Sequence, residues 1–128
     1  MKRRGRKKDL KIEIDFYKGI LEDKPDFVEA LYALGDAYTR AGFYKEGLEV
    51  DKKLSQMRPQ DPVVFYNLAC SYSLVGDLDQ ALKSLKKAIV LGYADFSYMD
   101  NDPDLENLRR DPRYKELRER IVRILRDH

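Results

Sequence analysis

The chain has 128 residues, 38% of them charged and 43% hydrophobic, with 25 Lys/Arg against 23 Asp/Glu for a formal net charge of +2. A chain of this length supports one core of ordinary size, and with no run of about 18 apolar residues no segment is expected to span a membrane. Its one cysteine, Cys70, has no partner for an internal disulfide, and with the one histidine, His128, it falls short of a structural zinc set. Stability is therefore expected from packing alone.

The charge is unevenly placed. Residues 1–8 hold six Lys/Arg (Lys2, Arg3, Arg4, Arg6, Lys7 and Lys8) and no acid, which leaves 19 basic against 23 acidic groups in the body. Dense like charge without apolar periodicity predicts a disordered basic arm over 1–8. No hydrophobic export segment follows it, so a cytoplasmic location is expected. From residue 9 the pattern divides. Leu10, Ile12, Ile14 and Phe16 alternate as in a strand, whereas Leu10, Ile14, Tyr17 and Leu21 share one helical face. The repeat described next favours the helix, because a lone strand here has no partner strand, and makes residues 9–25 the second helix of a half-unit closed by Pro25.

Tyr32-Ala33-Leu34-Gly35-Asp36-Ala37-Tyr38 returns 34 residues later as Tyr66-Asn67-Leu68-Ala69-Cys70-Ser71-Tyr72, and Leu31/Phe65, Gly42/Gly76 and Leu48/Leu82 keep the same offset. One offset across both halves of a unit marks a stacked two-helix module. The first unit spans 26–59. Asp26 is its expected N-cap, Leu31, Leu34, Tyr38 and Ala41 its first stripe, and Gly42 the left-handed stop. Gly35 and Gly47 cost roughly 1 kcal/mol each inside a helix relative to Ala, a cost that close approach of two backbones would offset. The second unit, 60–93, opens on Asp61-Pro62, turns at Gly76-Asp77 with Gln80 in a capping-box-like place, and ends at Gly92.

Beyond Gly92 the period fades. Over 95–128, Asp102-Pro103 and Asp111-Pro112 open a short helix ending near Arg110 and a longer one to about Arg126, with Tyr114, Leu117, Ile121, Ile124 and Leu125 on one face. These are the capping helices that a solenoid needs at its exposed end. Asp100, Asp102, Asp104 and Glu106 resemble a calcium loop in spacing, but Pro103 and the missing glycine and terminal glutamate argue for helix-start chemistry.

These residues resemble the tetratricopeptide repeat: Leu31, Leu34, Gly35, Tyr38 and Pro59 in one unit, and Phe65, Leu68, Ala69, Tyr72, Ala81, Leu85 and Ala88 in the other. The Asp-Pro-rich ending also looks like the segment that closes some small bacterial members. The resemblance implies an all-α superhelix of antiparallel helix pairs forming a single domain over 9–128. Two positions depart from the pattern, Gly47 where alanine is usual and Asp51 where a bulky apolar residue is usual. Either Asp51 is buried and held by a tyrosine hydroxyl or a lysine, or the helix is rotated so that it faces water; the second reading is preferred.

The resemblance further implies a protein-binding scaffold with a concave groove for a peptide or partner helix. Carried across, the groove residues are Glu29, Tyr32, Asp36, Thr39, Arg40, Val63, Tyr66, Asn67, Cys70, Ser73 and Leu74. Tyr32 and Tyr66 are the expected anchors, since tyrosine offers large area at low entropic cost. The competing reading packs both tyrosines against a neighbouring helix or the C-terminal segment. Members that clamp a terminal carboxylate use lysine, asparagine and arginine; here only Asn67 matches, Asp36 would repel the carboxylate, and that subfamily is not expected. No phosphate-binding loop, nucleophile-histidine pair, metal spacing or cofactor motif is present, so no enzyme and no cofactor are expected, and Cys70 reads as a small apolar groove residue. The alternative function is nucleic-acid or anionic-surface binding through the basic arm and the Arg-rich last helix, set against an acidic body and a tail with no interleaved aromatic residue. Self-association through the N-terminal half-unit is a third reading.

Overall fold

The computed structural model describes the backbone of residues 2–127 and the side chains of residues 9–127. The described elements are all helical: α1 (Lys2–Asp23), α2 (Val28–Arg40), α3 (Tyr44–Met57), α4 (Pro62–Val75), α5 (Leu78–Val90), α6 (Phe96–Asn101), a 3-10 turn (Pro103–Leu105), α7 (Glu106–Arg109) and α8 (Pro112–Arg126). The helix over residue 9 onward is the expected one. Leu10 and Ile14 are buried with Leu34 and Ala37 of α2, whereas Ile12 and Phe16, the other members of the strand-like alternation, are each 62% exposed. α1 begins at Lys2 and so includes the backbone of residues 2–8, where the basic arm is expected; the side chains of residues 1–8, and His128, lie outside the described residues.

Successive helices pack as antiparallel neighbours, α2 on α3 and α4 on α5, with α3 against α4 joining the two pairs. Local chemistry sets the boundaries. Asp61 caps α4, its Oδ1 accepting from the Val63 and Val64 N–H groups, with Pro62 in the first turn; Asp77 caps α5 by accepting from the Gln80 N–H. Gly42, Gly76 and Gly92 close α2, α4 and α5 at φ of 85°, 88° and 116°, the left-handed region a β-carbon opposes. One expected cap is corrected: α2 starts at Val28 with Phe27 at the N-cap position, and Asp26 stands one residue too early to reach the free N–H groups.

Gly35 and Gly47 are explained by the approach of α2 and α3. A Cβ on Gly47 would stand 3.2 Å from Thr39 Oγ1 and 3.6 Å from the Gly35 carbonyl oxygen; one on Gly35 would meet Asp51 Oδ1 at 3.2 Å. Asp51 is therefore a core residue, 7% exposed, and the preferred water-facing reading is wrong. Its position matches Leu85 in the second unit, which is fully buried. Its partner is also unexpected: the Ser71 hydroxyl of α4 donates to Asp51 Oδ2. The neighbouring lysines turn elsewhere, Lys52 to Glu49 at 3.7 Å and Lys53 to the Pro25 carbonyl at 2.9 Å.

The C-terminal elements cover the open side of α4 and α5. Met99, Leu105, Leu108, Tyr114, Leu117 and Ile121 join Phe65, Leu68, Leu82 and Leu85 in one cluster. Asp100 fastens α6 to α8, accepting from Nε and Nη2 of Arg118 at 2.8 and 2.9 Å and from the Tyr114 hydroxyl. Arg118 also lies over the Phe96 ring. Ile124 and Leu125, expected on the packed face of α8, are 55% and 60% exposed, whereas Tyr114, Leu117 and Ile121 of the same face are buried.

Candidate functional site

The first helices of both units and the C-terminal segment enclose a groove of about 670 Å³. Eight of the eleven expected residues line it: Glu29, Tyr32, Asp36 and Thr39 from α2, and Val63, Tyr66, Asn67 and Cys70 from α4. The other three stand elsewhere. Arg40 turns toward α1, its Nε donating to Asp36 Oδ2 at 2.8 Å and its terminal nitrogens to Glu13 at 3.1 and 3.3 Å. Ser73 is wholly buried under the cap, where its hydroxyl accepts from the Leu108 N–H at 3.2 Å and its carbonyl from Asn107 Nδ2 at 2.9 Å. Leu74 is half-buried outside the groove lining.

The two anchor tyrosines differ. Tyr32 is half-buried at the groove wall, and its hydroxyl donates to Asp61 Oδ2 at 3.0 Å; burial and then this bond push its pKa up to about 12. Tyr66 is only 4% exposed. Its ring stacks on Tyr93 at 4.2 Å with planes 9° apart, and its hydroxyl donates to Asp102 Oδ2 at 2.7 Å. For Tyr66 the competing reading holds: it packs into the C-terminal segment and forms the groove floor. Burial drives its pKa far upward, so it stays a neutral donor.

The same segment supplies lining residues that the repeat could not point to: Tyr93, Tyr98, Asp102 and Asp104. Asp102 is buried and committed. One oxygen receives Tyr66 and, at 3.7 Å, the Cys70 thiol; the other accepts from the Asp104 N–H at 3.0 Å, the helix-start role expected of it. Burial, then Asp102, raises the Cys70 thiol well above its ordinary value, which leaves it protonated and a poor nucleophile. Burial also raises Asp104, with Asp102 adding repulsion. Asp51 reaches the groove beside Gly35, and desolvation pushes its pKa to about 6, opposed by the Ser71 bond and reinforced by Asp36. A partial signal for the missed residues lay in the 34-residue offset, which takes Asp36 to Cys70 and then to Asp104.

A stack of antiparallel helix pairs with a groove along its first helices, closed by terminal helices, defines an α-helical solenoid. Residues 63–91 match the tetratricopeptide repeat family, and the chain belongs to that family. It is 34% identical over 95 residues to a chloroplastic protein of Arabidopsis thaliana, a match that takes in 69% of this chain and 28% of the plant protein. The chain thus spans less than a third of that relative's length. Its fold is similar to that of MamA (residue 41 to the end) from Desulfovibrio magneticus and of the MamA ArsTM double mutant, each with a TM-score of 0.63 and 19% identity over 87% of this chain and 67% of the other. Among the described residues no helix is long and apolar enough to cross a membrane.

Proposed function

We propose that this chain is a non-catalytic interaction module that holds an extended peptide or a partner helix in the groove between α2, α4 and the C-terminal segment. One observation carries the reading: the groove is open to solvent and presents apolar area from Tyr32, Val63 and Tyr98, of which Val63 is 50% and Tyr98 56% exposed. Exposed aromatic and aliphatic area in a concave site is what a partner covers. The membership of a family of interaction scaffolds supports the same reading.

The anchors are therefore Tyr32 and Tyr98, with Tyr66 as the floor beneath them. Peptides selected from a random display library on the intact chain test this. Tyr98→Ala, at an exposed position, should weaken a selected peptide while leaving the thermal midpoint nearly unchanged, and Tyr32→Ala with Tyr98→Ala should weaken it at least tenfold, with the midpoint falling only by the share of half-buried Tyr32. Unchanged affinity in the double variant refutes the groove as the site. The alternative, nucleic-acid binding, is disfavoured by Arg113 and Arg118 of α8, which are held by Asp79, Asp111 and Asp100 of the same chain. We place the module in the cytoplasm; the chloroplast location in the plant relative's name is said of that protein, and fractionation of the native cell decides for this one.

A further inference from the structure

The groove is one-sided in charge. Among the described residues its lining contains five carboxylates, those of Glu29, Asp36, Asp51, Asp102 and Asp104, and no lysine, arginine or histidine. Asp36 is shared with Arg40, and Asp102 is occupied by Tyr66 and a backbone N–H. Asp51 differs from both. It is nine-tenths buried at a core position of the repeat, yet it makes one hydrogen bond, from Ser71 to Oδ2, and among the described residues no donor reaches Oδ1 and no cation pairs with it. An ionised carboxylate offers about four acceptor sites, and burying one with a single donor leaves most of its hydration unreplaced.

Gly35 gives that oxygen its surroundings. The Oδ1 atom sits 3.2 Å from where a Cβ at position 35 would stand, and Gly35 and Asp51 both line the groove. Among the described residues no fully buried side-chain oxygen lacks a partner, so Oδ1, which has no protein donor, keeps its contact with the groove beside Gly35. Tyr32 and Tyr98 line the same groove; their faces attract cations and their rings can cover the aliphatic stem of a long side chain. Among the described residues no group of three or more His, Cys, Asp or Glu converges as a metal site, so the charge distribution suits an extended organic cation.

We propose that the groove recognises a positively charged, extended segment of a protein partner, one Lys or Arg side chain of which pairs with Oδ1 of Asp51. This rests on the groove being the peptide site and names the chemistry of its ligand. A desolvated pair of this kind acts chiefly through the dissociation rate, while Glu29, Asp36 and Asp104 at the sides act on encounter and on salt dependence.

Fluorescence anisotropy of the intact chain with labelled octalysine, octaarginine and octaglutamate, at low and at physiological salt, tests the proposal. The cationic peptides should bind and octaglutamate should not. Asp51→Asn should weaken octalysine about tenfold, and Glu29→Gln with Asp104→Asn, shape-conserving changes at an exposed and a half-buried lining position, should weaken it and flatten its salt dependence. Glu119→Gln on α8 should do neither. Equal binding of the cationic and acidic peptides, or affinity unchanged by both groove variants, overturns the proposal. Competition by spermine as strong as by octalysine overturns the peptide assignment in favour of a small polyamine. A concentration-dependent dimer that the groove variants abolish overturns the separate partner in favour of the basic run of a second copy. A Tyr32-dependent peptide from the display library without Lys or Arg leaves the groove reading standing and removes this one.

Discussion

Replacing Asp51 by asparagine should make the protein more stable at neutral pH. The carboxyl sits where the second unit has the fully buried Leu85, with one hydroxyl donor and no cation, and burial raises its pKa from 3.8 to about 6. A shift of about two units corresponds to roughly 3 kcal/mol by which the folded state disfavours the ionised form. The sign follows from proton binding. Between about pH 4 and 6 the folded protein holds a proton that the unfolded chain has lost, so Asp51's contribution is most favourable below about 4, declines as pH rises through about 6, and stays level above it. Asparagine keeps the shape and an oxygen for Ser71 but has no charge to desolvate. Urea denaturation followed by far-UV circular dichroism across this range measures both chains. Asp51→Asn should gain up to roughly 3 kcal/mol at pH 7.5, approach the parent near pH 4, and lose the parent's slope between them. A variant less stable at pH 7.5, or one that keeps the slope, refutes the reasoning.

Tyr66→Phe removes the donor to buried Asp102 and should cost about 1–3 kcal/mol, read in the same urea experiment. Tyr66→Ala should cost about 3–5 kcal/mol, since it also removes the ring stacked on Tyr93. Asp100→Ala frees Arg118 and Tyr114 together and should increase hydrogen exchange in α8 while leaving α2 and α3 protected. Gly76→Ala places a β-carbon at a φ of 88° and should lower stability by about 1 kcal/mol, measured as a shift in urea midpoint at constant slope.

What the sequence made legible was governed by local chemistry. Asp61-Pro62 and Asp111-Pro112 mark helix starts because the cap and the missing N–H act within one turn, and Gly42, Gly76 and Gly92 mark stops because only the left-handed region closes those turns. The 34-residue offset then puts the helices in pairs. What escaped depends on a third element. The burial of Asp51 is decided by Ser71 on α4 and by the room at Gly35, twenty and sixteen positions away. Tyr32 and Tyr66 occupy the same place in the repeat, but the neighbour of the first is Asp61 at a helix start and that of the second is a folded C-terminal segment. Repeat periodicity cannot distinguish them, because the segment that does so lies outside the period. α6 was missed for the same reason: six residues opening on Asp95 have no stripe to read.

The cap and the groove are consequently one structure. Tyr66 and Asp102 join them: the ring that floors the groove is the ring that stacks on Tyr93, and the carboxylate that holds its hydroxyl begins the 3-10 turn of the cap. A ligand that contacts Tyr98 or Asp104 is bound by the cap as much as by the repeats, so occupancy should stabilise α6 and the turn after it through linkage. The same sharing makes truncation uninformative. Removing residues 95–128 would expose Phe65, Leu68 and Leu85 and take away one groove wall at once, so that lost binding would report lost packing. Asp51 escapes this confusion. It belongs to the repeats, lines the groove and destabilises the fold in its charged form, so Asp51→Asn should move stability up and cation affinity down. Opposite signs from a single substitution separate a residue kept for binding from one kept for folding.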